Sequence, residues 1–469
     1  MTAKRSSTSK KKMRRISRVI TALLVLAGVA AGVLMWKASF GKYPWLLNYV
    51  RHQVTPNATH AVAGTKHVMF TFVDHFEPKT LETVELWAED YRNMAYKHLD
   101  ADGNPPKHTW FWYFDKVETE NKRKFLKVLS ELAYENLGEI EIHMHHYNDN
   151  EESFTKLMRE AIALSQEWGA LITAEVTPRT AFGFIHGLWS LDNSRGRGAC
   201  GVTNELIVLR KLGCYADYTH PSWGAMHPDI VNKLYYATDD PAESKSYAGG
   251  TEMAVERPGI GDLLIFNGPS VVRFKGLKPV YDHNDVTMAD LPTKDRVDDW
   301  VKTGIHVKGR PEWIFVKVHT HGAVAGDREA VLGAWRNRMH THLEEKYNDS
   351  KNFRLHYVTA REAYNIAKAA EAGKKGDPNQ YRDFVIPKYV NSYVMASVPF
   401  EAISFRREQF VLRFAAKAGA IVKVRVRNAE VDVSGDAAVK SREVTANETI
   451  LELVLQGEGV VGFKMAAKP

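Results

Sequence analysis

Cysteine is almost absent: 469 residues hold two, Cys200 and Cys214. The segment ELIVLRKL between them reads as a helix of about ten residues, about 15 Å long. Cysteines at its two ends cannot reach the Cα separation below about 7 Å that a disulfide requires. A disulfide framework and a zinc ribbon are therefore excluded, and two buried thiols are expected. Acidic residues are missing from residues 1–18, a stretch carrying eight Lys and Arg residues. Without those eight, 55 basic residues face 56 acidic ones, so the formal charge of +7 belongs to the tail and the body is balanced. That balance argues against a broad phosphate-binding surface, and nucleic acid is excluded as a partner. Internal repeats are lacking, and so are low-complexity tracts beyond the tail. With 44% hydrophobic and 25% charged residues the chain is not a disordered one, and its length implies more than one domain.

Long uncharged runs are also scarce, with one exception. Val19–Trp36, VITALLVLAGVAAGVLMW, is eighteen residues without a charge, enough to cross a bilayer at about 1.5 Å per residue. Tyr43 and Trp45 follow at the place of an interfacial aromatic pair. The run ends Leu34-Met35-Trp36-Lys37 rather than in the small residues of a cleavage site. The expectation is an uncleaved signal anchor: a basic cytoplasmic tail at 1–18, a transmembrane helix at 19–36 and a juxtamembrane segment at 37–65. The chain would then be single-pass in the cell inner membrane or plasma membrane, with the rest of it extracytoplasmic.

From residue 66 to about 375 short apolar runs alternate with longer helical patterns. Val68–Val73, Glu139–Met144, Phe182–His186, Cys214–Thr219, Leu263–Asn267, Trp313–Val318 and Phe353–Val358 read as strands. Helices are predicted over about 80–99, 118–136 and 151–168, and Thr359-Ala-Arg-Glu362 is a capping box opening another. Strands separated by helices imply parallel pairing, so the fold class is α/β, a (β/α) barrel of about seven strands. The region 223–310 is less regular. EAGKKGDPNQ at 371–380 reads as a linker, and beyond it Phe410/Leu412/Phe414, Val422/Val424/Val426 and Leu451/Leu453/Leu455 alternate with polar residues. Residues 376–469 are thus predicted to be linker and a small antiparallel β domain that folds separately.

Histidines cluster where strands end, the place where α/β folds put their sites. His143, His145 and His146 follow the third strand, with alternation putting Glu139, Glu141, His143 and His145 on one face. His319 and His321 follow a later strand, and Asp74, His75 and Glu77 follow the first. His186 and His220 also end strands and could line a cleft or satisfy local hydrogen bonds. His340 and His342, two apart on a helix, face different ways and are expected at the surface. Imidazoles with a carboxylate are the ligands of borderline metals such as zinc.

The order of these motifs resembles the polysaccharide deacetylase family, carbohydrate esterase family 4. That family's Thr-Phe-Asp-Asp-Gly stands here as Thr71-Phe72-Val73-Asp74-His75. The resemblance makes Asp74 a metal ligand and puts Val73, which cannot take a proton, in the place of the catalytic base. His143 matches the first ligand of the family's second motif, with His145 or His146 replacing the next. His319 or His321 corresponds to the general acid, and His75, Glu77 or Asp192 could substitute for the base.

The function expected is a membrane-anchored, extracytoplasmic hydrolase that N-deacetylates a cell-envelope or exported polysaccharide. A divalent metal, zinc by ligand type, would be held by Asp74 and two of His143, His145 and His146, with His319 or His321 as the acid and His75 or Glu77 as candidates for the base. The partners would be a glycan and the membrane. Trp110, Trp112 and Trp189 would stack on sugars or belong to the core. Three other readings stand beside this one: an amidohydrolase-like barrel with two metals, a glycoside hydrolase drawing two carboxylates from Asp74, Glu77, Asp192 and Glu205, and a non-catalytic glycan-binding or assembly protein.

Overall fold

The computed structural model describes Tyr43 and residues 45–465, except 56, 115–118, 175–179, 223, 277, 407–408 and 428–429. The first twelve strands are β1 (Lys66–Phe76), β2 (His108–Phe114), β3 (Gly138–Met144), β4 (Phe182–His186), β5 (Cys214–Asp217), β6 (Leu234–Ala237), β7 (Thr251–Glu252), β8 (Leu263–Phe266), β9 (Val271–Lys275), β10 (Lys278–Asp282), β11 (Trp313–Thr320) and β12 (Phe353–Val358). All but the β9–β10 hairpin join one ten-stranded sheet in the order β11-β1-β2-β3-β4-β5-β8-β6-β7, with β12 also on β1. β1 is long enough to share one edge: Lys66–Thr71 pair with β12 and Phe72–Phe76 with β2.

Two expectations about the architecture are corrected here. The barrel of about seven strands is instead a mixed sheet, parallel from β11 through β8 and continued by antiparallel β6 and β7. Between β8 and β11 the approach is made by side chains: the Phe266 and Phe315 rings meet edge to face at 5.7 Å, and Lys317 Nζ donates to Tyr218 O and His220 O. The membrane span is also corrected. No helix among the described residues is long and apolar enough to cross a membrane, and the tail at 1–18 and the run at 19–36 lie outside those residues. The anchor, the membrane as partner and the single-pass location therefore have no element of the structure to rest on. Nor is 45–54 a stalk. Helix Trp45–Val54 packs Trp45 against His227 and Tyr281 at ring separations of 5.0 and 4.6 Å, so Trp45 is a core residue rather than an interfacial one.

Helices cover the sheet for reasons visible in their sequences. Helix Leu81–Ala95 is capped by Thr80, whose hydroxyl accepts from Thr83 N, and buries Val84, Trp87, Ala88, Tyr91, Met94 and Ala95, an i, i+3, i+4 stripe. Helix Glu151–Gln166 opens on an Asn150–Ser153 capping box, and helix Ala360–Glu371 on Thr359–Glu362. Along β1, alternation sends Phe70, Phe72 and Asp74 outward under the helices and Thr71, Val73 and His75 inward. Trp110 and Trp112 likewise point outward into the core, where Trp112 Nε1 donates to Ser165 Oγ.

The remaining strands, β13 (Val394–Ala396), β14 (Phe400–Arg406), β15 (Gln409–Phe414), β16 (Ile421–Val426), β17 (Val431–Gly435), β18 (Ala437–Val444), β19 (Thr449–Leu455) and β20 (Val460–Met465), form two four-stranded sheets around one core. That core also takes in Ile172 and Ala174, and Phe400 N donates to Glu167 O at 2.9 Å. The 371–380 stretch is not a free linker: Arg310 reaches Gly373 O, and Trp313 Nε1 donates to Gly376 O.

Candidate metal centre

Three strand ends contribute paired side chains at i and i+2, and β geometry turns both members of each pair to the same face. β1 supplies His75 and continues to Glu77, β3 supplies His143 and leads to His145, and β11 supplies His319 and leads to His321. The register sets Val73 beside His319 and Tyr113 beside His143. Two overlapping triads result, His75–Glu77–His321 and Glu77–His143–His145, each with its ligand atoms within 4.8 Å of one another. Glu77 belongs to both. Its Oε1 lies 3.0 Å from His143 Nε2 and 3.4 Å from His145 Nε2. The His75 and His321 rings stack at 4.5 Å, and His75 and His143 meet edge to face at 4.8 Å.

Hydrogen bonds fix which ring nitrogens are free. His143 Nδ1 faces Ile185 O at 3.0 Å and must donate to it. Its Nε2 then carries a lone pair, aimed at both Glu77 Oε1 and His145 Nε2, the latter 3.1 Å away. A proton on His145 Nε2 or a bound cation would relieve this crowding, and an imidazole anchored through its other nitrogen is how metal-bound histidines are held. The residues therefore fit a divalent ion. Burial raises Glu77, but its contacts with the His143 and His145 imidazoles outweigh it and hold its carboxyl below the ordinary carboxylate range. Burial, reinforced by the neighbouring imidazoles, pushes His75 well below its ordinary value and lowers His143 and His321 too.

His319 stands beside this centre. Its Nδ1 faces Asn284 Oδ1 at 2.8 Å, while Nε2 has no hydrogen-bond partner and lies 3.8 Å from Asp285 Oδ1. The rim carries Trp189 near His283, Tyr147 hydrogen-bonded to His145, and a pocket lined by Phe76, Glu77, Tyr113 and Lys122. Leu188 and Trp189 hold φ angles of 58° and 52°, the left-handed region that costs a non-glycine residue about 1–2 kcal/mol.

Asp74 and His146, expected as ligands, are elsewhere. Asp74 is fully buried on the outer face, its Oδ2 2.9 Å from His108 Nε2 and its Oδ1 accepting from Gly322 N at 2.7 Å. It joins no ligand group among the described residues. The strand's alternation is the reason, since a residue of opposite parity to His75 cannot share its face. His146 turns away from His145 and meets His186, Cys200 and Glu205, a buried set that could also hold a metal ion. Both cysteines are buried and free. His220 is buried against Tyr247, outside either set. Of the four carboxylates weighed for glycoside cleavage, only Glu77 lines the cleft: Asp192 accepts from Ser246 N, and Glu205 accepts from Asp192 N. His340 and His342 are buried rather than at the surface, bonded to Tyr357 and Asp298.

No protein-family model matches the chain, and no curated protein matches it in sequence.

Proposed function

We propose that this chain is a metal-dependent hydrolase that releases acetyl groups from N-acetylated sugars of a glycan. The observation that carries the reading is the convergence of Glu77 with His75, His143, His145 and His321 at one rim of the sheet. The order of motifs resembling the polysaccharide deacetylases supports the substrate class, with Glu77 replacing Asp74 as the acidic ligand and Val73 buried beneath the centre.

A zinc-class ion bound there supplies Lewis acidity and a water whose pKa falls toward 7. The chain's own groups do the rest. His143 is oriented by Ile185 O and His145 by Tyr147. Asn284 holds His319 through Nδ1, so its Nε2 is the nitrogen that would take a proton from the attacking water and pass it to the leaving amine, with Asp285 near enough to stabilise the transient imidazolium. Trp189 and Tyr147 at the rim offer aromatic faces to a sugar ring. The presence of Glu77 in both triads favours a second reading, in which these five residues would hold two divalent ions that together polarise the substrate and activate water, as in amidohydrolases.

The test is metal analysis of protein purified without chelator, alongside acetate release from N-acetylated oligosaccharides. Acetate release that disappears with the centre's metal in Glu77→Gln is the expected result, and one or two ions lost separates the two readings. Metal retained with no release from any acetylated sugar would favour glycan binding. No difference in metal between wild type and Glu77→Gln would overturn the centre itself.

A further inference from the structure

Behind the strand end that carries His143 and His145, the chain encloses a second set of donors. His146, His186, Cys200 and Glu205 are each at most 2% exposed, and their ligand atoms all lie within 4.8 Å of one another. Glu205 Oε1 is 3.1 Å from His146 Nε2 and 3.5 Å from His186 Nε2, and Cys200 Sγ is 3.6 Å from Glu205 Oε2. They come from three places: the turn after β3, the end of β4, and the segment 187–205 that follows it.

Proton placement leaves one contact within this set unanswered. His186 Nδ1 donates to Gly187 O at 2.6 Å, which leaves Nε2 with a lone pair. That nitrogen has no hydrogen-bond partner and faces a carboxylate oxygen. A protonated His146 would answer Glu205, yet His186 would still oppose Glu205 lone pair to lone pair. One cation answers all four at once. The outer contacts match such a role, because Asp149 Oδ2 lies 3.3 Å from His146 Nδ1 and Asp192 N donates to Glu205 Oε2 at 2.6 Å.

We propose that His146, His186, Cys200 and Glu205 form a closed structural site for a zinc-class divalent ion, distinct from the centre at Glu77. Two nitrogens, one sulfur and one oxygen make a tetrahedral set with no position left for substrate, the pattern of a structural ion. The ion would tie segment 187–205 to the β3 end. That segment contains Leu188, Trp189, Asp192 and Asn193, all at φ between 50° and 58°, a backbone that needs anchoring. Gly187, next to ligand His186, packs so closely on the His145 ring that a Cβ there would overlap it. The buried ion would thus hold His145 and Trp189 in place.

Sulfur distinguishes the two sites, because the Glu77 centre has no thiolate among its residues. Full-length protein stripped of metal and reloaded with cobalt(II) should show thiolate-to-cobalt charge-transfer absorption in the near ultraviolet. The band should vanish in Cys200→Ser and persist in Cys214→Ser and in Glu77→Gln. Its absence from cobalt-loaded wild type, or its survival in Cys200→Ser, would overturn the site. Should Cys200→Ser fail to fold, X-ray absorption of zinc-loaded Glu77→Gln answers the same question. One sulfur neighbour per zinc supports the proposal, and a shell of nitrogen and oxygen alone ends it.

Discussion

Glu77 Oε1 stands 3.0 Å from His143 Nε2, on the far side of that ring from the nitrogen that donates to Ile185 O. A neutral imidazole so anchored presents a lone pair to a carboxylate, a repulsive contact that a bound cation or a second ring proton relieves. Glu77→Gln should therefore weaken metal affinity at this centre by at least about 10–100-fold. Asp74→Asn should leave that affinity within a few-fold of wild type, since Asp74 bonds His108 and Gly322 instead. Metal titration of both variants against a competing chelator checks the pair. The reverse ranking would return Asp74 to the ligand set.

Asp74 still matters to the centre through the backbone. Its Oδ1 accepts from Gly322 N, next to His321, and Arg336 approaches the far nitrogen of the His108 that bonds its other oxygen. A Cβ at position 322 would overlap the Asp74 carboxylate. Gly322→Ala should cost about 1–3 kcal/mol through overpacking, and it should displace His321. The expected outcome is a lower denaturation midpoint together with weaker metal binding. A fall in midpoint with metal affinity untouched would show that His321 is not held this way.

How much of this was readable depends on what each residue faces. The alternation of Phe410, Leu412 and Phe414 identified a half-buried strand because its other face is in water. β2, HTWFWYF, gives no strand signal by alternation because it is buried on both faces. The histidine rows at strand ends were legible, and parity would also have chosen Glu77 over Asp74, counting from Val73 and His75. The family pattern pointed to Asp74 instead. His146 lies one residue beyond His145, but the chain has left the strand there, and its partners stand 40 to 59 residues further on. His340 reads as superficial because helix Ala334–Tyr347 has only a narrow apolar line, Met339, Leu343 and Tyr347, among charged residues. It buries Arg336 and His340 as a polar network with His108 and Tyr357.

Buried neutral histidines away from the metal residues make stability depend on acid. His227 is packed on Trp45, and burial pushes it down to about 3. As pH falls below about 6.5, the unfolded chain takes up a proton that the folded chain refuses, so this contribution is intact above that pH and lost below it. His227→Phe removes the group. Relative to that variant, wild type should lose up to about 1.4 kcal/mol per pH unit between pH 6.5 and 3. Urea unfolding of chelator-treated proteins at pH 7, 6 and 5 measures the difference. A pH-independent difference would mean that His227 takes up its proton as readily in the folded chain as in the unfolded one.

The C-terminal β unit is fastened to the large sheet by buried charge, not joined by a loose tether. Arg361 is fully buried and binds Glu139 on β3, and it also donates to Asp383 and Ile386 O beyond the 371–380 stretch. Tyr389 donates to Glu141 and Ala181 O, under the same sheet. Replacing Arg361 leaves Glu139 buried without its partner, a change that costs about 3–5 kcal/mol when one member of a buried pair is lost. Arg361→Met should unfold at lower denaturant and be cut between residues 371 and 386, where wild type resists. Wild type should also unfold in one transition, because Tyr389 and the 382–386 backbone belong to both halves. Rapid cleavage of wild type in that stretch, giving two fragments with separate transitions, would establish independent domains and remove Arg361 from the account.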